Sequence, residues 1–327
     1  MTTINYGSMK PERIVTIADF VEQVYLPWIE KHKRPATVHG YKHIWENHLK
    51  PICGSSWLKE TRTYNVQSWL NQIGSNRLGK NTLKHIKSTI SGIFTLAKQQ
   101  DYFHGENPAR DTAINPSAQA PRETYAYSLE EIQGILSVLP EPAATAFSIA
   151  AFAGLRHGEI CGLHWEDYRD GELYVNRSIW NGKASDPKTR KSKAPVPVIG
   201  QLSKRLEIHR LKCGDAKEGP IFKNAAGQSA SLVDMTNRKI LPTLRAAGIQ
   251  WQGWHAARRG LGSNLYRMGI SEIVIQRILR HSNVSVTQAY YIKTDSQDVQ
   301  GAMQKLQEHV SSLQDTLGTP IDKQIVM

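Results

Sequence analysis

A proline-rich segment divides this chain and restricts it to an arrangement of two domains. Residues 107–122 read NPARDTAINPSAQAPR, with three prolines, no aromatic residue and no helical spacing of apolar side chains. Because proline biases a chain toward extended conformations, this composition predicts a linker. The 327 residues suffice for two domains of roughly 100 to 200 residues, each able to bury a core. We predict a helical domain at 14–108, a linker at 109–126, a second domain at 127–300 and a tail at 301–327.

Apolar residues recur at helical spacing throughout the first half. Four stripes begin at Ile17, Val38, Val66 and Leu83, and they predict a small domain of four or five helices. Along the last stripe, three lysines share one face by their three-to-four spacing: Lys80, Lys84 and Lys87. That face suits contact with phosphates, although the same spacing also fits a face that meets only solvent.

The second half mixes helical and strand patterns. Ser128 and Glu131 form a capping box before an apolar run, which predicts the start of a helix. Residues 142–155 are an Ala-rich apolar run, too short for a bilayer and typical of a buried helix. Two β-prone runs, 171–180 and 193–199, flank a turn-rich basic stretch, and helical patterns return from residue 201. The prediction is a mainly α chain with a small antiparallel β-sheet.

Positive charge is spread over both halves of the chain. The formal net charge is +12; residues 14–110 carry 13 basic and 7 acidic side chains, and residues 127–300 carry 23 and 16. Charge dispersed over segments with regular apolar spacing indicates a folded surface that binds a polyanion, above all nucleic acid. General solubility is the alternative that composition leaves open.

Cysteine usage and the N-terminus bear on the compartment. The three cysteines, Cys53, Cys161 and Cys213, include no CxxC pair, which favours free thiols in a reducing compartment over a disulfide framework or a metal ribbon. The first residues lack the apolar core of a secretory signal, and no apolar run could cross a bilayer. We therefore expect a cytoplasmic protein without a membrane partner.

Charged and aromatic side chains recur at four places in the second half. Arg156 and Glu159 stand three apart after the Ala-rich run, and His255 and Arg258 share one face of a later helix. Tyr290 follows nine residues after His281. Alone, the spacing of Arg156 and Glu159 is usually that of an ordinary ion pair on a helix surface. Together they include forked cationic donors, imidazoles and a phenol, the groups that phosphoryl transfer needs.

In this order and spacing, the motifs AGLRHGEICGLHWED, PKTRKSKAPVPV, HAARR and LRHSNVSVTQAYY resemble the tyrosine recombinase (phage integrase) family. They cover about residues 150–292. The resemblance implies an α+β tyrosine recombinase catalytic domain, and it implies that the helical first half is a core-binding domain that clamps DNA. It also implies a site-specific recombinase or integrase of a phage or other mobile element.

The resemblance implies a role for each matching residue. Tyr290 would attack a DNA phosphodiester to form a 3′-phosphotyrosyl bond, and Lys188 would protonate the leaving 5′-oxygen. Arg156, Arg258 and His281 would bind the non-bridging oxygens. His255 would accept the tyrosine proton, because a phenol with a pKa of about 10 is a poor nucleophile near neutrality. Glu159 would orient neighbouring catalytic side chains.

Several of these assignments have rivals. Tyr291 competes with Tyr290. Lys188 lies on the β-hairpin predicted between the runs 171–180 and 193–199, and three nearby basic residues suit its role if the register of that hairpin differs: Arg190, Lys191 and Lys193. We expect those three, together with Lys80, Lys84, Lys87, Arg259 and Arg280, to contact DNA. Zinc ligation by His255 or His281 is not expected without nearby ligands. One departure concerns Arg280, because the family usually has Gly there, and Arg adopts a left-handed helix end less readily.

The resemblance also implies an assembly. Four copies would act on two specific double-stranded DNA sites through a Holliday junction, with no metal, ATP or other cofactor, and accessory DNA-bending or directionality proteins are conceivable partners. An apolar stripe in the tail, Val299, Met303, Leu306 and Val310, would pack on a neighbouring subunit or on its own domain. Two other functions compete: a type IB topoisomerase-like DNA relaxase and a non-catalytic DNA-binding regulator.

Overall fold

The fold of this chain is mainly helical. A computed structural model describes residues 15–75, 78–120, 123–186 and 194–281, together with 303, 304, 306 and 307. These residues form two compact units that divide between Glu123 and Thr124. The described part of the chain contains no helix that is both long and apolar enough to cross a bilayer. The predicted class, mainly α with small antiparallel sheets, is confirmed.

The first unit is a cluster of helices around an aromatic and aliphatic core. Its helices are α1 (Ile17–Phe20), α2 (Leu26–His32), α3 (Pro35–Ile44), α4 (Lys50–Cys53), α5 (Thr63–Gly74) and α6 (Lys80–Gln99). The π-helical segments Val21–Tyr25 and Trp45–Leu49 join α1 to α2 and α3 to α4, so that 17–32 and 35–53 are each continuous. The stripes that begin at Ile17, Val66 and Leu83 supply most of the buried residues, and the stripe that begins at Val38 adds Trp45 and Leu49.

The segment that the sequence predicts to be a linker begins as part of the first unit. The side chain of Asn107 donates to the carbonyl of Ser91 (2.8 Å). Gln67 on α5 exchanges two hydrogen bonds with the backbone of Ala113 (2.9 and 2.7 Å). The main chain of Lys80 donates to the carbonyl of Gln119 (2.9 Å). The proline content indicates that this segment is not helical. It does not indicate these hydrogen bonds, whose partners are distant in sequence.

The second unit combines helices with short strands. Its helices are α7 (Leu129–Val138), α8 (Ala143–Ser148), α9 (His157–Cys161), α10 (Gly200–Lys212), α11 (Leu232–Met235), α12 (Leu241–Ala246), α13 (Trp254–Arg267) and α14 (Glu272–Leu279). The π-helical segment Ile149–Ala153 continues α8, and Thr236–Ile240 joins α11 to α12. At the start of α7 the predicted capping box is present, since the hydroxyl of Ser128 accepts from the backbone of Glu131 (3.2 Å).

The strands form two antiparallel sheets. The first has the order β1 (Tyr168–Arg169), β2 (Glu172–Leu173) and β5 (Val196–Pro197), and the second is the hairpin of β3 (Ser178–Trp180) and β4 (Lys183–Ser185). The β-prone run 171–180 is thus two strands in separate sheets, and β4 lies in the stretch interpreted as turn-rich. The hairpin turns at Asn181 and Gly182, both with positive φ (48° and 73°), a turn for which Asn-Gly is the preferred pair.

The Ala-rich run brings the later motifs together. Residues 143–153 form one continuous helix that is buried except at Phe152, and its second part packs against α13. This helix ends at Gly154 with φ 61°. A Cβ atom at Gly154 would lie 2.9 Å from side-chain atoms of both Leu261 and Leu279. The end of the helix therefore lies against α13 and α14, and Arg156 follows immediately.

Candidate active site

Arg156 is held at the start of α9 by Glu159. The turn at Gly154 ends the preceding helix, and Arg156 caps the next one in extended conformation. Glu159 Oε2 accepts a hydrogen bond from the backbone nitrogen of Arg156 (2.9 Å), and Oε1 accepts one from Nη1 (2.8 Å). The Arg156 side chain keeps 30% of its surface exposed, whereas that of Glu159 keeps 4%. The Arg156 guanidinium therefore reaches the surface while it is hydrogen-bonded to the buried carboxylate of Glu159.

Arg258 connects the ends of two helices from within the unit. It lies on α13 and is 3% exposed. Its Nη1 donates to the carbonyl of Gly154, and its Nη2 donates to the carbonyl of Leu279. One guanidinium thus satisfies carbonyls at the C-terminal ends of the 143–153 helix and of α14, which are otherwise unpaired in a helix. Arg156 and His281 each follow one of these ends by two residues.

The turn after α14 places Arg280 and His281 near the start of α9. Arg280 ends the helix in the left-handed conformation (φ 55°, ψ 43°), and its Nη2 donates to Glu159 Oε2 (2.9 Å). Arg280 is 2% exposed, so it does not lie on a surface that meets DNA. The sequence-based assignment of Arg280 to DNA contact is thus wrong for this structure, because burial beside Glu159 outweighs the preference of a guanidinium for the surface.

Both predicted catalytic imidazoles favour the neutral form. Burial, followed by the positive charges of Arg258, Arg156 and Arg280, lowers the pKa of His281 to about 4. His255 lies on the exposed side of α13, where partial desolvation and the neighbouring Arg258 and Arg259 hold its pKa below the usual value. A neutral imidazole has one ring nitrogen that accepts a proton and one that donates a hydrogen bond.

Glu159 is ionised within this cationic cluster. Burial alone would raise its pKa, but the guanidinium groups of Arg280 and Arg156 outweigh burial and hold the pKa below the usual value. Two guanidinium groups therefore share one carboxylate, and a third, that of Arg258, is bound to the carbonyls of Gly154 and Leu279 nearby. The excess of positive charge suits a phosphodiester, whose charged oxygens accept forked hydrogen bonds from arginine.

The remaining predicted site residues are dispersed or outside the described ranges. Tyr290, Tyr291, Lys188, Arg190, Lys191 and Lys193 lie outside them. Arg259 donates through Nε to the carbonyl of Tyr125 (2.7 Å). In the first unit, Lys84 is exposed and Lys80 is half-buried. Of the tail stripe, Met303 and Leu306 are exposed, whereas Val299 and Val310 are not described.

Lys87 has a different environment from its two neighbours on α6. Its ammonium donates to the carbonyls of Arg110 and Thr112 in the segment that follows the helix. Much of its hydrogen-bonding capacity is therefore used inside the unit. A lysine that holds backbone carbonyls stabilises the fold, and periodicity along the helix gave no signal of this difference.

His157 is a residue that the sequence left without a role. It follows Arg156, its ring contacts Trp254 edge-on at 6.2 Å between centroids, and burial lowers its pKa. A positive charge on His157 would oppose protonation of His255. No spacing rule pairs residues 157 and 255, so only the packing of α9 against the start of α13 could reveal this neighbour. Among the residues of known placement, no group of three His, Cys, Asp or Glu side chains is arranged to hold a metal ion.

Comparisons with known proteins agree with this geometry. Residues 127–297 match the phage integrase family. The chain is 26% identical over 313 residues to a tyrosine recombinase XerC-like protein of Caldanaerobacter subterraneus subsp. tengcongensis, a match that covers 85% of this chain and 79% of that protein. It is 24% identical over 255 residues to a tyrosine recombinase of Pseudothermotoga lettingae, covering 77% of this chain and 85% of that protein.

Solved structures share the fold. A Tn1549 transposon integrase in complex with transposon right end DNA has a TM-score of 0.74 at 17% identity, covering 89% of this chain and 99% of that one. A lambda integrase tetramer bound to a Holliday junction has a TM-score of 0.65 at 19% identity, covering 88% of this chain and 82% of that one. The chain belongs to the phage integrase family and is a tyrosine-type site-specific DNA recombinase, which confirms the resemblance of the sequence motifs.

Proposed function

We propose that this chain breaks and rejoins DNA strands at specific sites through a 3′-phosphotyrosyl intermediate on Tyr290. One observation carries the proposal: Arg156, Arg258 and His281, three residues far apart in sequence, come from three elements that meet at the ends of two helices. Two guanidinium groups and a neutral imidazole supply donors for the non-bridging oxygens of one phosphodiester. Such preorganised donors stabilise the charge that develops during phosphoryl transfer.

The proton transfers fall to other residues. Tyr290 loses its phenolic proton to His255 as its oxygen bonds to phosphorus, and the bond from phosphorus to the 5′-oxygen breaks. Lys188 gives a proton to that oxygen, which leaves as a 5′-hydroxyl. The low pKa of His255 supports its role as a base, because the imidazole is neutral and accepting near pH 7. Rejoining reverses these transfers with a new 5′-hydroxyl.

No energy source is needed in this scheme. The tyrosyl ester replaces the broken DNA ester, so a phosphoester bond is present at each stage and strand exchange runs without ATP. The arginines supply the charge stabilisation that a divalent cation supplies in other phosphoryl-transfer sites. Cleavage should accordingly persist in the presence of EDTA, and loss of activity on chelation would contradict this part of the proposal.

The assembly is also part of the proposal. The lambda integrase structure is a tetramer bound to a Holliday junction, and the shared fold supports a tetramer of this chain on two double-stranded DNA sites. Residues 14–108 are proposed as the core-binding domain that clamps DNA, with Lys84 on its surface, and 127–300 as the catalytic domain. Residues 301–327 are proposed to contact a neighbouring protomer. Accessory DNA-bending or directionality proteins would set the direction of the reaction.

The decisive experiment traps the covalent intermediate. A nicked suicide substrate, which loses a short strand on cleavage, should accumulate protein joined to DNA with the wild-type chain and with Tyr291→Phe. Tyr290→Phe should bind the same DNA but form no adduct. Peptide mapping of the trapped complex should find the nucleotide on the peptide that contains Tyr290. An adduct that persists in Tyr290→Phe and disappears in Tyr291→Phe would transfer the role to Tyr291.

Product analysis separates recombination from relaxation. Sequencing the DNA recovered from trapped adducts identifies the site, and a plasmid pair carrying two marked copies of that site should exchange strands. Relaxation of any supercoiled plasmid without site preference, and without exchange, would instead support a relaxase. Binding without any adduct in all variants would support a non-catalytic regulator.

A further inference from the structure

Arg280 combines two features that rarely occur in one residue. It ends α14 with φ 55° and ψ 43°, a conformation that glycine adopts readily and that residues with a Cβ generally avoid. Its side chain is also buried, with 2% of its surface exposed, although a guanidinium is costly to remove from water. A helix end that required only this backbone conformation would be formed more easily by Gly or Asn. The charge at this position therefore needs an explanation.

The explanation lies at Glu159. The Oε2 atom of Glu159 accepts from Arg280 Nη2 (2.9 Å), while Oε1 accepts from Arg156 Nη1 (2.8 Å). Both the Arg280 and Glu159 side chains are almost completely buried, so the pair interacts with little screening by water. One carboxylate thus connects the start of α9, which carries Arg156, to the turn after α14, which carries His281.

This connection also sets the charge around the Arg156 guanidinium. With Arg156 as its only partner, Glu159 would neutralise Arg156. With Arg280 present, Arg156 and Arg280 share the Glu159 carboxylate, while Arg258 donates to the carbonyls of Gly154 and Leu279. Three guanidinium groups and one carboxylate leave two positive charges beside the proposed phosphate site. Arginine keeps its charge even when it is buried, so this excess is present near neutral pH, where Glu159 is ionised.

We propose that Arg280 is a positioning residue for DNA cleavage. By sharing Glu159 with Arg156, it fixes the positions of Arg156 and His281 relative to each other. It also leaves net positive charge available to the phosphate. The inference rests on the proposed function, since it takes Arg156 and His281 as the groups that contact the phosphodiester. It assigns to Arg280 an action through Glu159 and no direct contact with DNA.

Three variants separate the backbone from the charge. Arg280→Gly relieves the backbone and removes the charge, Arg280→Asn tolerates the backbone without the charge, and Arg280→Lys keeps a charge without the fork. At saturating nicked suicide substrate, the Gly and Asn variants should cleave about 10- to 100-fold more slowly in a single turnover, as expected for small misplacements of catalytic groups. Arg280→Lys should recover part of the rate. Arg277→Ala, an exposed arginine on the same helix, is the control and should cleave at the wild-type rate.

The titration of the His281 imidazole supplies a readout that a purely structural role would not change. The charged groups around His281 are Arg258, Arg156 and Arg280. Removing the Arg280 cation raises the pKa of His281, so the titration midpoint of this imidazole, followed by NMR, should move to higher pH in the Gly and Asn variants. In Arg280→Lys the midpoint should stay near its wild-type position, because a positive charge remains.

A double-mutant cycle tests whether Arg280 acts through Glu159. Adding Arg280→Gly to Glu159→Gln should slow cleavage little beyond Glu159→Gln alone, because the shared carboxylate is already absent. Multiplicative effects of the two substitutions would overturn the proposal. Melting curves identify a temperature at which all of the variants are folded, and the cleavage rates are compared at that temperature.

The outcomes distinguish this inference from the proposed function. If wild-type protein forms the adduct and the Gly and Asn variants match its cleavage rate and its His281 titration, the inference on Arg280 fails while the proposed function stands. Equal loss in all three Arg280 variants, tracking their lowered melting temperatures, would make Arg280 a support of the fold only. If wild-type protein forms no adduct at all, the proposed function itself fails, and the inference fails with it.

Discussion

Glu159 binds both the backbone and the side chain of Arg156. Its carboxylate accepts one hydrogen bond from the backbone nitrogen (2.9 Å) and one from the guanidinium (2.8 Å). The backbone contact caps α9, and the side-chain contact orients the guanidinium. A single acidic residue therefore sets both where the helix begins and how the arginine leaves it. Both residues lie within 127–297, the part of this chain that matches the phage integrase family.

Substitution of Glu159 should lower stability strongly. Glu159→Gln leaves the buried guanidinium of Arg280 without its counter-charge, and breaking a buried pair costs about 3 to 5 kcal/mol. Because the pKa of Glu159 is held below its usual value of 4.5, the ion pair stabilises the fold above that pH and is lost as pH falls below it. Chemical denaturation at pH 7 and pH 4 should show a larger deficit at pH 7. The exposed Glu218→Gln should change neither value, and an equal effect of both substitutions would contradict the pairing.

His281 should make the protein less stable in mild acid. The pKa of His281 is lowered from 6.5 to about 4 by burial and by the neighbouring arginines. Between these values the unfolded chain binds a proton that the folded chain does not, so the free energy of unfolding falls by on the order of 3 kcal/mol as pH falls from 6.5 to 4. This part of the loss should vanish in His281→Asn and persist in the control His104→Asn. Unfolding curves across this range provide the measurement.

Lys188→Ala should slow cleavage by roughly 10² to 10⁴ if the lysine is the general acid. A substrate with sulfur at the 5′-bridging position has a leaving group that needs no proton, so it should restore most of the rate. Lys191→Ala is the matched comparison: as an expected DNA contact it should bind more weakly, but at saturating ordinary substrate it should cleave at nearly the wild-type rate. Rescue of Lys191→Ala by sulfur, with no rescue of Lys188→Ala, would transfer the role to Lys191.

Replacing each of two glycines in the second unit by alanine should change the free energy of unfolding in opposite directions. At Gly260 on α13, a Cβ atom would lie 2.5 Å from the carbonyl oxygen of Tyr127, whereas at Gly134 on α7 nothing lies within 4 Å. Gly260→Ala should therefore lower the free energy of unfolding by about 1 to 3 kcal/mol. Gly134→Ala should raise it by about 0.5 to 1 kcal/mol, because alanine favours a helix interior. Denaturant titration of both variants tests the packing of residue 127 on α13.

Lys84 and Lys87 should separate DNA binding from stability. Lys84 is exposed, so Lys84→Ala should weaken DNA binding and reduce the steepness of its salt dependence by about 0.9 for each phosphate that is no longer neutralised. Lys87→Ala frees two backbone carbonyls and should lower stability by about 1 to 3 kcal/mol. Binding measured from low to high salt, alongside melting, distinguishes the two. An unchanged salt slope in Lys84→Ala would remove it from the DNA-contacting set.

Local features of the fold could be predicted where local forces act. Ser128 and Glu131 are three residues apart, and their capping box forms as the spacing indicates. The Ala-rich run is also predictable as a buried helix, because alanine and other apolar side chains lie on every face of it. The β3–β4 hairpin carried a local signal as well, the Asn181-Gly182 pair. Because the sequence analysis interprets residues 181–192 as turn-rich, it predicts a hairpin between 171–180 and 193–199, whereas the second strand of this hairpin is β4.

The sequence by itself determined which chemical groups this protein has, their order along the chain, and the helices that carry them, because periodicity and capping depend on neighbouring residues. Only the tertiary structure decided which groups meet. Glu159 and Arg280 are 121 positions apart, and they pair because the 143–153 helix packs on α13 while α14 ends against it. Burial, the lowered pKa of His281 and the change of Arg280 from an expected DNA contact to a partner of Glu159 all follow from that packing. Their physical cause is the exclusion of water by residues distant in sequence, which no local pattern encodes.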